Sequence, residues 1–262
     1  MSETSEPRKP RLRRDEEIRI YGLNACLALF ARRPHDLRKV YLLESRLGDL
    51  KTVIAWCVQQ RLGYRVVGNA DLDKLTGSQH HEGVCFEARR AALPSLSMLL
   101  QRLPRAPQPA LLAWLDGVGN PHNLGAVWRS AANFGVQALI LPADSALAAS
   151  GAAYRVAEGG AEAVPLARIV PGEDALGALR NAGFAIAATV PREGESLYAA
   201  RLPPRLVFVL GAEGGGLSRG LIDRSDLHLT IPGSGVVESL NVSASAAVLF
   251  GEYHRQLSTR RK

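Results

Sequence analysis

Three loops from residue 116 onward carry residue types that could hold a charged or polar reactant. The first, residues 116–129, reads Asp-Gly-Val-Gly-Asn-Pro-His-Asn-Leu-Gly-Ala-Val-Trp-Arg and passes from an apolar segment into helical spacing. Asn123 and Arg129 stand six apart there. A helix start offers free backbone N–H groups, and a guanidinium adds a planar cation suited to phosphate or carboxylate. A capping asparagine and a surface ion pair account for the same two residues, so the loop alone leaves both readings open. It is not a dinucleotide fingerprint, because His122 stands where the third glycine belongs, and it is not a phosphate loop, because no Gly-Lys-Ser/Thr follows. The second loop, residues 211–217, is Gly-Ala-Glu-Gly-Gly-Gly-Leu. Its glycines admit close approach to a ligand, with Glu213 at a strand end; a tight turn with a capping acid explains it almost as well. The third, residues 231–245, is Ile-Pro-Gly-Ser-Gly-Val-Val-Glu-Ser-Leu-Asn-Val-Ser-Ala-Ser. Ser239 reads as the N-cap of the last helix, and Asn241, a poor helix former, as an amide in its first turn.

Residues 110–115, 138–141, 184–188, 206–210 and 227–231 are short apolar runs that read as buried strands. Between them, residues 123–134, 174–182 and 241–257 carry helical spacing. Alternation of buried strands with helices predicts a largely parallel sheet covered on both faces. In such sheets ligands sit at the carboxyl ends of the strands, which is where all three loops fall. Earlier in the chain, helical patterns over 22–33 and 47–61 alternate with strand-like segments at 39–43, 64–67 and 84–86, a small α/β unit. Pro94, Pro104, Pro107 and Pro109 bracket one amphipathic segment, 96–103, and mark a domain boundary. The expected division is a basic disordered arm (1–17), a small domain (18–92), a linker (93–109), a second domain (110–257) and a basic tail (258–262).

At 262 residues and 47% hydrophobic content, the chain can build packed cores, which excludes wholesale disorder. No apolar run approaches the roughly 18 residues of a membrane span, and the polar N-terminus holds no signal-like apolar region, so a soluble cytoplasmic protein is expected. Cys26, Cys57 and Cys85 form no Cys-x-x-Cys pair, which argues against a disulfide framework or zinc site and for small buried apolar residues. The net charge of +7 is uneven: residues 8–14 hold five bases and 255–262 hold four, with no acid in either, leaving the body at −2. Basic ends on a near-neutral body point to nucleic acid as a partner; solubility explains them equally on their own. Trp56, Trp114 and Trp128 read as core or interface residues, and His80, His81 and His122 are given no chemistry.

Taken together, three motifs in order and correctly spaced resemble the SpoU (TrmH-like) branch of the SPOUT RNA methyltransferases. They are Asn120-Pro-His-Asn123-Leu-Gly with Arg129, Leu210-Gly-Ala-Glu213-Gly-Gly-Gly216, and Ile231-Pro with Ser239-Leu-Asn241-Val-Ser243. Residues 20–25 and 80–85 look like that family's small ribosomal-protein-like substrate-binding domain, and residues 151–161, Gly-Ala-Ala-Tyr-Arg-Val-Ala-Glu-Gly-Gly-Ala, look closest to its YfiF-like subgroup. The resemblance implies an α/β trefoil-knotted SPOUT domain that binds S-adenosylmethionine, acts as a homodimer whose active site draws on both subunits, and methylates a ribose 2′-hydroxyl of rRNA or tRNA. It implies cofactor contacts from Thr189, Leu210, Gly211, Ile231, Ser239 and Leu240, and catalytic roles for Asn123, Arg129, Glu213 and Asn241. No metal and no membrane are implied. The main alternative is a non-catalytic RNA-binding protein that keeps the fold; unknotted methyltransferases and base methylation are further ones. Two positions depart from the family pattern: Gly233 replaces a bulky apolar residue, and Glu158 stands where serine is commoner.

Overall fold

The structure is a computed structural model that describes residues 17–145, 147, 149–212 and 214–259. Strand β5 (Ala110–Leu115) is six apolar residues, all buried. Side chains alternate across a strand, so Leu111, Ala113 and Leu115 enter one core while Ala110, Leu112 and Trp114 enter another. An unbroken apolar run is therefore what a strand covered on both faces requires.

Six more strands complete the parallel sheet: β6 (Ala138–Leu141), β7 (Leu166–Arg168), β8 (Ala185–Thr189), β9 (Glu195–Ser196), β10 (Arg205–Leu210) and β11 (Leu227–Thr230). Their order is β7-β6-β5-β10-β8-β11-β9. The chain builds outward from β5 on one side, returns to lay β8 on the other, and inserts β10 between them. That reversal is a topological switch point, where a crevice opens at the strand ends.

Helix α5 (Pro121–Phe134) buries Leu124, Val127, Trp128 and Ala131, one face at helical spacing. It packs with α10 (Val242–Thr259) over the first core. Helices α4 (Leu96–Arg102) and α8 (Ala175–Asn181) cover the second.

The small domain is a mixed four-stranded sheet of β1 (Glu17–Tyr21), β2 (Leu37–Leu42), β3 (Tyr64–Val66) and β4 (Val84–Arg89), ordered β1-β4-β2-β3. Residues of α1 (Leu23–Arg32) and α2 (Lys51–Gln59) join its main core; α3 (Asn69–Thr76) places Leu72 in a smaller one. Two further short helices, α6 (Gly151–Ala157) and α7 (Gly160–Ala163), and α9 (Arg219–Asp223) complete the α-helices among the described residues.

β1, α3, α6, α7, β7, β9 and α9 were not read from the sequence. Most are too short for a period to declare itself, β9 being two residues long. Residues 93–109 are more than a linker, since Ser95 caps α4 and Leu96 and Leu99 are buried against the sheet. At the other end, α10 runs to Thr259, so Ser258 and Thr259 are helical and Arg255, at 2.7 Å from Glu252, is ion-paired on that helix. The remaining basic residues of both ends lie outside the described residues. Cys26, Cys57 and Cys85 are free and buried; burial raises all three thiols, Cys85 to about 12, which disfavours any thiolate nucleophile. Among the described residues, no helix is long and apolar enough to cross a membrane.

Candidate active site

Leu115 of β5 pairs with Leu210 of β10, so the first and second loops emerge side by side. The Asp116 amide donates to the Leu210 carbonyl at 2.8 Å. The second loop turns back on itself through bonds between Ala212 and Gly216, and a side chain at Gly211 would fall 2.7 Å from the Gly216 oxygen. Backbone, not side chain, forms this wall. The third loop leaves β11, beyond β8, and returns across the strand ends to α5. There the Asn241 Nδ2 donates to the Asn123 Oδ1 at 3.2 Å, joining residues 118 apart.

A cavity of about 470 Å³ lies between the second and third loops and the end of β8. It is lined by Thr189, Leu210, Gly211, Ile231, Ser239 and Leu240, the six positions expected to hold a cofactor, together with Val190, Pro191, Glu238 and Ser245, which sequence reading missed. Its size suits a ligand of nucleoside dimensions, and its mixed lining of apolar side chains and convergent polar groups is usual for such sites. The Thr189 hydroxyl is already engaged, donating to the Val209 carbonyl at 2.8 Å.

One capping assignment is corrected and one capping alternative is set aside. Asn241 Oδ1 accepts from the Ser243 amide at 2.9 Å, so Asn241 stands at the head of α10, and Ser239 lies too far back along the loop to serve as its cap. On α5, Asn120 is the cap, accepting from the His122 amide at 2.8 Å, with Pro121 at the first helical position. Asn123 is thus not needed as a cap, and its amide meets Asn241 instead. Arg129 is exposed on α5 and forms no ion pair among the described residues, so a surface salt bridge does not account for it. Neither Asn123 nor Arg129 lines the cavity; Asn123 reaches its edge through Asn241. Glu213 lies outside the described residues. Gly233 is exposed with open space around it, so a larger residue there would meet no wall. Among the described residues, no His, Cys, Asp or Glu cluster is arranged to hold a metal.

The model of the SpoU rRNA methylase family matches residues 110–251, and that of the RNA 2′-O ribose methyltransferase substrate-binding domain matches residues 19–94. The chain belongs to the SpoU rRNA methylase family. Among curated relatives, it is 38% identical over 254 residues to a protein of Escherichia coli O157:H7 described as the uncharacterized tRNA/rRNA methyltransferase YfiF, covering 96% of this chain and 72% of that one. It is 35% identical to the 23S rRNA (guanosine-2′-O-)-methyltransferase RlmB of Nitrosomonas europaea, covering 92% of each. The SpoU fold is shared with AviRb of Streptomyces viridochromogenes, a SpoU methyltransferase solved in complex with AdoMet, at a TM-score of 0.76 and 22% identity, covering 94% of this chain and 92% of that one. The SpoU match takes in every strand of the parallel sheet and all three loops; the substrate-binding match takes in the small sheet.

Proposed function

We propose that this chain transfers the methyl group of S-adenosylmethionine to a ribose 2′-hydroxyl of ribosomal or transfer RNA in the cytoplasm, with residues 18–92 gripping the RNA and residues 110–257 carrying the reaction. One observation carries the site assignment: the second and third loops and the end of β8 close around one cavity, and Asn241 on its wall reaches Asn123 of the first loop. Family membership and the 2′-O-methyltransferase named among the relatives support the reaction class.

The residues present fit the cofactor. Backbone groups of Gly211, Ile231 and Leu240 can read an adenine edge, Leu210 and Leu240 offer apolar contact, and Glu238 and Ser239 offer polar partners for a ribose or an ammonium group. When bound, S-adenosylmethionine supplies an electrophilic methyl on a sulfonium. The chain's own task is then to place the ribose oxygen in line with that methyl and hold the nucleotide still. Asn123 and Asn241 orient polar groups of the ribose at the cavity edge. Arg129, exposed on α5, holds the adjacent phosphate in place through its planar guanidinium. The catalytic role proposed for Glu213 rests on the motif resemblance alone. The path from β11 back over β8 and β10 to α5 supports the trefoil knot that the resemblance implies. Exposed Val236, Val237 and Leu240 beside the cavity support a homodimer in which a second copy covers this loop.

Calorimetric titration with S-adenosylmethionine tests the reading. Saturable binding is expected for the wild type and for Arg129→Ala, and its loss for Leu240→Arg, which fills the cavity. Labelled methyl transferred to ribosomal or transfer RNA should then appear in an alkali-resistant dinucleotide, because a 2′-O-methyl blocks the attack that cleaves the chain. Absence of cofactor binding, with or without RNA, would favour the non-catalytic RNA-binding reading.

A further inference from the structure

The stretch 151–163 forms α6, α7 and the turn between them, wedged between the small domain and α5. On the small-domain side, Tyr154 is 4% exposed and sits in the core built by Ile20, Leu29 and Phe86. A side chain at Gly151 would fall 2.6 Å from the Tyr21 ring. Arg33 reaches across as a fork: its Nε donates to Glu162 Oε2 and its Nη2 to Oε1, both at 2.8 Å. The two side chains are only 16% and 6% exposed. Burial works against the Arg33 cation, but the hydrogen bond and charge of Glu162 outweigh it and hold the proton more firmly than usual. Asn24 Nδ2 donates to Glu158 Oε2 at 2.7 Å, which gives the unusual Glu158 a partner on the small domain. Arg155 donates to the His80 carbonyl at 2.8 Å and pairs with Glu82 at 3.1 Å.

The other side of the same stretch grips α5. A side chain at Gly160 would fall 2.8 Å from the Trp128 carbonyl and 3.2 Å from the Arg129 Cα. The Trp128 indole donates to the Val164 carbonyl at 3.0 Å, and its ring lies 5.9 Å from that of Tyr154. The backbone that carries Arg129 is therefore in van der Waals contact with a segment that is itself fastened to the small domain. Forked arginine–carboxylate pairs fix one geometry, and a pair withdrawn from water is costly to leave half made.

We propose that residues 151–162 are a strap that makes the small domain and α5 one rigid body, with Arg33 and Glu162 as positioning residues for methyl transfer. RNA gripped by the small domain is thereby delivered in register to Asn123 and Arg129 of the same chain. In-line transfer tolerates little positional error, so a fixed spacing between the gripping and reacting surfaces raises the rate without adding any contact to the RNA. This inference rests on the proposed methyltransferase reading.

The test combines a distance and a rate. Dyes placed at Val58→Cys and Tyr198→Cys, both exposed positions on opposite domains, report the domain spacing by single-molecule energy transfer, the native cysteines being buried. The wild type should give one narrow distribution. Glu162→Gln, and separately Arg33→Lys, which keeps the charge but cannot form the fork, should broaden it while S-adenosylmethionine affinity is retained. With ribosomal RNA as methyl acceptor, kcat should fall roughly 10-fold in both variants while KM for the RNA stays within about 2-fold. A broad wild-type distribution would overturn the proposal, as would unchanged kcat in both variants. Should the wild type methylate no RNA, the methyltransferase reading fails and the distances decide the docking alone: narrow in the wild type and broadened in the variants sustains it, and any other pattern sinks it.

Discussion

Asp116, at the carboxyl end of β5, shows how position acts on a single group. Partial burial pushes its carboxyl above the usual range, and the charge of Asp144 pushes the same way. The folded state then holds a proton at pH values where the unfolded chain, near its ordinary value of about 3.9, has lost it. Stability falls as pH rises through that window, and the loss is complete above it. Asp116→Asn should therefore raise Tm at pH 7.5, with the gain shrinking to nothing below pH 4. Thermal unfolding between pH 3 and 8 checks this; a difference independent of pH would assign the effect to packing. Of the catalytic candidates, Asn241 was legible as a poor helix former in a first turn, and Asn123 only through the motif that carries it. Their contact was not legible, because it spans 118 positions and depends on the route of the third loop.

Element-level reading succeeded where a period repeats and failed where it could not. Helix α5 declares itself by Leu124, Val127, Trp128 and Ala131, and β5 and β10 by unbroken apolar runs. Helix α6 has only seven residues, and the chain around it offers no long stripe. Its importance lies in how closely it approaches α5. A Cβ at Gly125 would fall 2.6 Å from the Ala153 carbonyl and 2.7 Å from the Val156 Cβ. Replacing a helical glycine with alanine on an open surface stabilises by about 1 kcal/mol. Here the sign should reverse: Gly125→Ala is expected to cost about 1–3 kcal/mol through overpacking, lowering the urea midpoint with an unchanged slope. A raised midpoint would show that α5 and α6 can part without penalty.

At the scale of the molecule, charge and fold act separately. The seven residues 8–14 carry five bases, enough to meet several phosphates. Removing residues 1–14 should flatten the slope of log affinity for RNA against log salt by roughly 3.5 to 4.5, at about 0.7 to 0.9 for each of five neutralised phosphates. Filter binding between 50 and 300 mM salt measures it, and an unchanged slope would mean that these arginines do not meet the RNA. The sequence by itself determined the two-part organisation, the parallel sheet with both faces covered, the three loops at its carboxyl edge and the six residues that line one cavity. The organisation, the sheet and the loops follow from composition, local periods and motif spacing, which act over a few residues at a time; the six lining positions came only through the family resemblance. Only the tertiary structure decided that Asn123 meets Asn241, that Asn120 and Asn241 head their helices, and that the stretch 151–162 binds the small domain to α5. Those contacts join segments up to 134 positions apart. They are fixed by strand order and by close packing at small residues, neither of which leaves a mark on neighbouring letters of the chain.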